Sequence, residues 1–277
     1  MFQPYNTDFD SLQNRVAELV ANHQRFDRPD VLRQILSFID LTTLNGDDTT
    51  LRVENLCRQA IEFQSVEKRI SPVAAVCVYP IFAEQVHQLL LNTGIKTACV
   101  AGAFPSGLSP LGLRIDEVSY AVQLGADEID MVISRGRLIE GDTSFVFDEI
   151  EAIKRACDRA HLKVILETGE LKSVELIRLA CEIAIQAGAD FLKTSTGKIS
   201  PAATPEAFLI MLDTIKEYYQ KTGQKIGIKA AGGISTPEEA IVYYFLVKEV
   251  LGEEWLTKDL FRIGASRLTT HVYNELN

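Results

Sequence analysis

The chain has 277 residues, 47% hydrophobic and 24% charged, with a formal net charge of −10. That balance fits a globular protein and excludes the clustered basic face that nucleic acid requires; no apolar run approaches the roughly 20 residues of a membrane span. Five widely spaced cysteines in apolar segments, behind an acidic N-terminus with no visible secretory signal, predict reduced thiols in a cytoplasmic protein.

Leu12, Val16, Leu19 and Val20 recur at helical spacing and predict an extra N-terminal helix, in an extension running to about residue 34. Short β-branched runs then alternate with amphipathic stretches. The strand candidates are Ile35–Leu41, Val73–Tyr79, Thr97–Ala101, Glu128–Ile133, Lys163–Glu167, Phe191–Ser195, Ile226–Ala230 and Phe261–Gly264. Each gap leaves room for a crossover helix, which implies parallel pairing, and eight such units predict a closed TIM (β/α)8 barrel as one domain over 1–277. An open doubly wound sheet is the alternative, but no Gly-x-Gly-x-x-Gly follows the first strand. Helix starts are marked at Thr204-Pro205-Glu206 and Thr236-Pro237-Glu238-Glu239, where threonine caps, proline opens and acids fill the first turn.

Period-two alternation assigns the faces of each strand. If Ile39, Leu41, Val76, Val78, Ile129, Met131, Leu166 and Ile228 face the helices, then Asp40, Cys77, Asp130, Glu167, Lys193 and Lys229 face inward. In a barrel such groups converge at the C-terminal ends of the strands, where active sites are built.

Lys193 and Lys229 carry the most information. Each lies in an apolar strand that runs into glycine: Phe191-Leu192-Lys193-Thr194-Ser195-Thr196-Gly197-Lys198 and Gly227-Ile228-Lys229-Ala230-Ala231-Gly232-Gly233. Burial disfavours an ammonium, a neighbouring cation disfavours it further, and a neutral amine attacks carbonyls. The pair predicts a Schiff-base site; the competing reading is structural cations paired with Asp130 and Glu167. Cys77 reads as a core filler, with no histidine placed to activate it. His23, His87, His161 and His271 have no ligand spacing, so neither metal nor cofactor is expected. The glycines of Gly197-Lys198, Gly232-Gly233-Ile234-Ser235 and Gly264-Ala265-Ser266-Arg267 follow the last three strands and fit a phosphate site, with Lys198 and Arg267 adding positive charge.

At these residues the chain resembles the 2-deoxyribose-5-phosphate aldolase family, class I enzymes on a TIM barrel. The resemblance runs from about Ile35 to Leu268, through Ile39-Asp40-Leu41-Thr42-Thr43-Leu44, Ala74–Pro80, Gly125–Asp130, Leu166–Leu171, Phe191–Lys198 and Gly227–Gly233. It implies that Lys193 forms the Schiff base, that Lys229 is the neighbouring cation, and that Asp130 takes part in proton transfer. It also places Asp40 and Cys77 around the substrate and Lys198, Gly232, Gly233 and Ser266 around its phosphate; Thr196, Gly197 and Gly264 complete the expected binding set. Ala230 stands where one branch of the family has proline, and Arg267 where that branch has a small hydroxyl residue. Some relatives end in a tyrosine that aids proton transfer, a role not expected of Tyr273. The implied reaction is reversible cleavage of 2-deoxy-D-ribose 5-phosphate to D-glyceraldehyde 3-phosphate and acetaldehyde. Another Schiff-base aldolase or transaldolase acting on a phosphosugar is the alternative, and a non-catalytic sugar-phosphate binder is a third. The implied partners are small molecules, with a dimer or tetramer left open.

Overall fold

The computed structural model describes residues 2–21 and 26–277, so His23 lies outside the described residues. Eight parallel strands close on themselves in chain order: β1 (Ile39–Thr42), β2 (Ala75–Val78), β3 (Lys96–Ala101), β4 (Glu128–Val132), β5 (His161–Ile165), β6 (Phe191–Lys193), β7 (Gly227–Ala231) and β8 (Phe261–Ala265). Pairing of β8 with β1 completes the cylinder, with Asp40 in register with Gly264. Two helices precede the barrel, α1 (Phe9–Ala21) and α2 (Arg28–Ser37). The others connect or follow the strands: α3 (Thr50–Glu62), α4 (Ala83–Leu89), α5 (Leu111–Gln123), α6 (Arg135–Ile139), α7 (Thr143–Ala156), α8 (Thr168–Leu171), α9 (Val174–Gln186), α10 (Pro205–Thr222), α11 (Pro237–Leu251) and α12 (Arg267–Leu276). This is the TIM barrel that the alternation predicts. Among the described residues no helix is long and apolar enough to cross a membrane.

Alternation explains the packing. Ile39, Leu41, Val76, Ile129, Met131, Leu192 and Ile228 all enter the apolar layer between strands and helices. Burying each such side chain contributes about 1.5–3 kcal/mol before entropy is counted. The inner faces of β2 and β3 are small and apolar: Ala75, Cys77, Ala98 and Val100 cluster with Leu44. At the lower end, a Cβ on Gly227 would come within 2.4 Å of the Phe191 ring, so glycine at the start of β7 gives that ring its place.

The expected caps form. Thr204 accepts from the Ala207 amide, and Thr236 and Glu239 make a reciprocal capping box. Three differences from expectation have local causes. The strand expected over Ile35–Leu41 starts only at Ile39, because Asp27 caps α2 and Val31, Leu32, Ile35 and Leu36 form that helix's buried stripe. The extension therefore holds two helices rather than one, and residue 34 falls inside α2. β5 and β6 end at Ile165 and Lys193, which leaves Glu167 and Ser195 in the turns beyond them. α1 is tied to α10 by Arg15, whose guanidinium donates to Asp213 Oδ1 at 2.8 Å, and Tyr5 donates to Oδ2 of the same residue at 2.6 Å.

Candidate active site

Six strands contribute to one ion-paired cluster inside the barrel. Asp40 comes from β1, Glu128 and Asp130 from β4, Lys163 from β5, Lys193 from β6, Lys229 from β7 and Arg262 from β8; all are buried. Lys193 Nζ donates to Asp130 Oδ2 at 2.7 Å, and Lys229 Nζ donates to the same oxygen at 2.7 Å. Twice 2.7 Å, or 5.4 Å, is therefore the most that can separate the two nitrogens. Lys229 also donates to Asp40 Oδ2. Lys163 donates to Asp130 Oδ1 at 2.9 Å and to Glu128. Arg262 donates to Asp40 Oδ1 at 2.7 Å and to Glu128 Oε1 at 2.6 Å.

These partners drive the two lysines apart. Burial pushes the Lys193 ammonium below its ordinary pKa; Asp130 opposes this, but the charge on Lys229 adds to it, and the net direction is down. Burial acts on Lys229 too, yet Asp130 and Asp40 together outweigh it and hold that ammonium above its ordinary value. Asp130 would be raised by burial, but Lys163, Lys193 and Lys229 hold it well below the usual carboxylate range. The charge count agrees: Lys163, Lys193, Lys229 and Arg262 face only Asp40, Glu128 and Asp130. One basic group is in excess, and the cluster balances when Lys193 is the neutral one.

Above the cluster opens a cavity of about 560 Å3 at the C-terminal ends of the strands. Lys193 and Lys229 reach it, and Thr196, Gly197, Lys198, Gly232, Gly233, Gly264, Ser266 and Arg267 line it. The loops after β6 and β7 touch across it, since a Cβ on Gly232 would lie 2.9 Å from Gly197 Cα and 2.6 Å from Ala202 Cβ. Gly232 and Gly233 also take positive φ, 86° and 83°, a region that favours glycine. Lys198 spans the mouth and donates to the Leu44 carbonyl after β1. Arg267 opens α12, so its charge and that helix's first amides lie on the same rim.

The structure brings together nearly the whole set expected from sequence. Asp40, Cys77 and Asp130 are fully buried and lie outside the cavity lining. Burial raises the Cys77 thiol, which favours a neutral wall group over a thiolate nucleophile. Glu167 is not a partner of either lysine, contrary to the structural alternative; it accepts from the Thr196 amide at 3.2 Å and from the Thr196 hydroxyl. Tyr273 packs edge-on against Phe63, ring centroids 5.0 Å apart, and is absent from the lining. Sequence reasoning missed Glu128, Lys163 and Arg262, although each has the parity of an inward residue on its strand. It also missed Arg52 of α3, which lines the cavity while paired to Asp47 at 2.8 Å and Asp48 at 3.1 Å. Among the described residues no group of His, Cys, Asp and Glu is arranged to hold a metal ion.

A family model described as DeoC/LacD family aldolase matches residues 34–243. Deoxyribose-phosphate aldolase of Mus musculus is 43% identical over 255 residues, covering 88% of this chain and 80% of the relative. That of Homo sapiens is 42% identical over 255 residues, with the same coverage of 88% and 80%. A solved structure of deoxyribose phosphate aldolase from Aeropyrum pernix, 24% identical, shares the fold with a TM-score of 0.70 over 98% of each chain.

Proposed function

Because this chain belongs to the DeoC/LacD family of aldolases, we propose that it cleaves 2-deoxy-D-ribose 5-phosphate reversibly to D-glyceraldehyde 3-phosphate and acetaldehyde. The neutral amine of Lys193 attacks the C1 carbonyl of the open-chain sugar, and loss of water leaves an iminium. The C3 hydroxyl gives up its proton and the C2–C3 bond breaks; its electron pair moves into the iminium, releasing glyceraldehyde 3-phosphate and leaving an enamine. A proton returns to C2, and water then hydrolyses the iminium to free acetaldehyde and the amine.

The carrying observation is that Lys193 and Lys229 share one oxygen of Asp130 while their pKa values move in opposite directions. Lys229 disfavours the ammonium of Lys193 before attack, and Asp130 stabilises the positive charge of the iminium after it. Asp130 is too acidic to be a strong resting base, so it moves protons by relay, through water, between the amines and the reacting carbons. Thr196, Gly197, Lys198, Gly232, Gly233, Gly264 and Ser266 hold the phosphate end, which fixes C1 over the amine. Asp40 orients Lys229, and Cys77 walls the apolar side of the reacting end. The five cysteines are free and buried, which supports a cytoplasmic enzyme.

Borohydride with acetaldehyde should place one reduced two-carbon adduct on Lys193, read by peptide mass. A coupled assay should show aldehyde release in the wild type and its loss in Lys193→Ala. An adduct on another lysine, or near-normal turnover by the variant, refutes the assignment.

A further inference from the structure

Glu167 is buried, yet its carboxylate has no cation partner among the described residues; both oxygens are spent on Thr196. Its backbone is left-handed, with φ of 55°, which a residue bearing a side chain adopts only when its surroundings enforce it. The two residues that follow it press on the same neighbouring loop. The Thr168 amide donates to the Thr194 carbonyl at 3.0 Å, and a Cβ on Gly169 would stand 2.0 Å from the Pro201 carbonyl oxygen. The constraint then passes inward, because the Thr196 hydroxyl that donates to Glu167 accepts from the Lys198 amide at 3.1 Å.

We infer that the Glu167-Thr168-Gly169 turn, chiefly through the Glu167 carboxylate, is the positioning element for the substrate's phosphate. It holds the Thr196–Lys198 segment where Gly197 meets Gly232 and Lys198 crosses the cavity mouth. This rests on the phosphosugar reading above. Glu167 does not itself line the cavity or bond to the lysine cluster; it reaches the cavity only through Thr196, so it acts through the loop. Its charge also works against a trivial explanation. An anion near a phosphate site weakens binding by repulsion, so neutralising it should strengthen binding unless the geometry matters more.

The test is Glu167→Gln, with three readouts: KM for deoxyribose 5-phosphate, the calorimetric Kd of inorganic phosphate, and the rate of borohydride trapping of acetaldehyde on Lys193. We expect KM and the phosphate Kd to rise roughly tenfold or more, as for a binding loop displaced by a fraction of an ångström, with trapping changed by less than about twofold. Unchanged or tighter phosphate binding overturns the inference, as does a parallel loss of trapping. If Glu167→Gln does not fold, Gly169→Ala displaces the same loop from its other contact and must give the same split. A wild type that traps no acetaldehyde sinks the aldolase reading instead, and the phosphate Kd of the variant still decides the inference.

Discussion

Lys193 and Lys229 are register partners on adjacent strands, and both donate to Asp130 Oδ2 at 2.7 Å. What separates them chemically is Asp40, which pairs with Lys229 but not with Lys193 and, with Asp130, keeps Lys229 charged. The nearest cation is thereby fixed beside the amine that must lose its proton.

Removing that cation should change the pH dependence as well as the rate. In Lys229→Met the repulsion on Lys193 disappears, its pKa rises, and less free amine is present at any given pH. The acid limb of the kcat/KM profile should move to higher pH, with turnover at pH 7 falling on the order of 100-fold or more. Rate measurements from pH 5 to 10 check this; a limb that stays in place contradicts the assigned role.

Lys193 should also cost stability. Its folded pKa lies below the ordinary value of 10.5, so the unfolded chain binds more protons between those two values. The cost is present in full below the folded pKa and fades as pH rises toward 10.5. Lys193→Met should therefore be inactive yet melt about 2 °C or more above the wild type at pH 7, with the gap closing at alkaline pH. A lower melting temperature would argue that its pairing with Asp130 is net stabilising.

Arg262→Met removes the guanidinium shared by Asp40 and Glu128 and leaves both carboxylates under-compensated. A loss of roughly 3–5 kcal/mol in urea unfolding is expected, typical of a broken buried pair. Burial alone would raise Asp40, Glu128 and Asp130, yet the surrounding cations hold all three below their ordinary values. Their contribution to stability is present above the ordinary carboxylate range and is lost as pH falls through the folded values. The wild type should accordingly lose stability on acidification, whereas Arg262→Met, whose Asp40 and Glu128 are less depressed, should start less stable and lose less over the same acid range.

Gly232→Ala tests the contact between the β6 and β7 loops. The new methyl group meets Ala202 and Gly197 and sits at a φ of 86°. KM for the phosphorylated substrate should rise on the order of tenfold to a hundredfold, with a smaller change in acetaldehyde trapping. Equal effects on both would place the damage in the cluster rather than at the phosphate.

The parity of apolar residues made the barrel and the inward lysines legible from sequence. The signal was as clear for Arg262, set between Phe261 and Ile263, and for Lys163, set between Leu162 and Val164. What a single strand could not reveal was pairing. Arg262 acquires its meaning from Asp40 and Glu128, which lie far away along the chain and meet it only when the cylinder closes. Arg52 was invisible for a related reason, since it projects from α3 and reaches the mouth only through tertiary packing. The start of β1 was misplaced because a short apolar run such as Ile35-Leu36 suits a buried helix as well as a strand, and the Asp27 cap decided for helix.

The bond from Arg262 to Asp40 joins the last strand to the first and bears on how the protein is made. A ribosome extending this chain delivers Asp40 and Glu128 long before residue 262, so for most of synthesis two acids destined for the dry interior lack their guanidinium. Until that strand emerges, the partial barrel must keep those acids wet, which disfavours early consolidation of its centre. Closure and charge neutralisation thus become one event, and truncations that stop short of β8 should yield loose, aggregation-prone chains rather than smaller stable barrels.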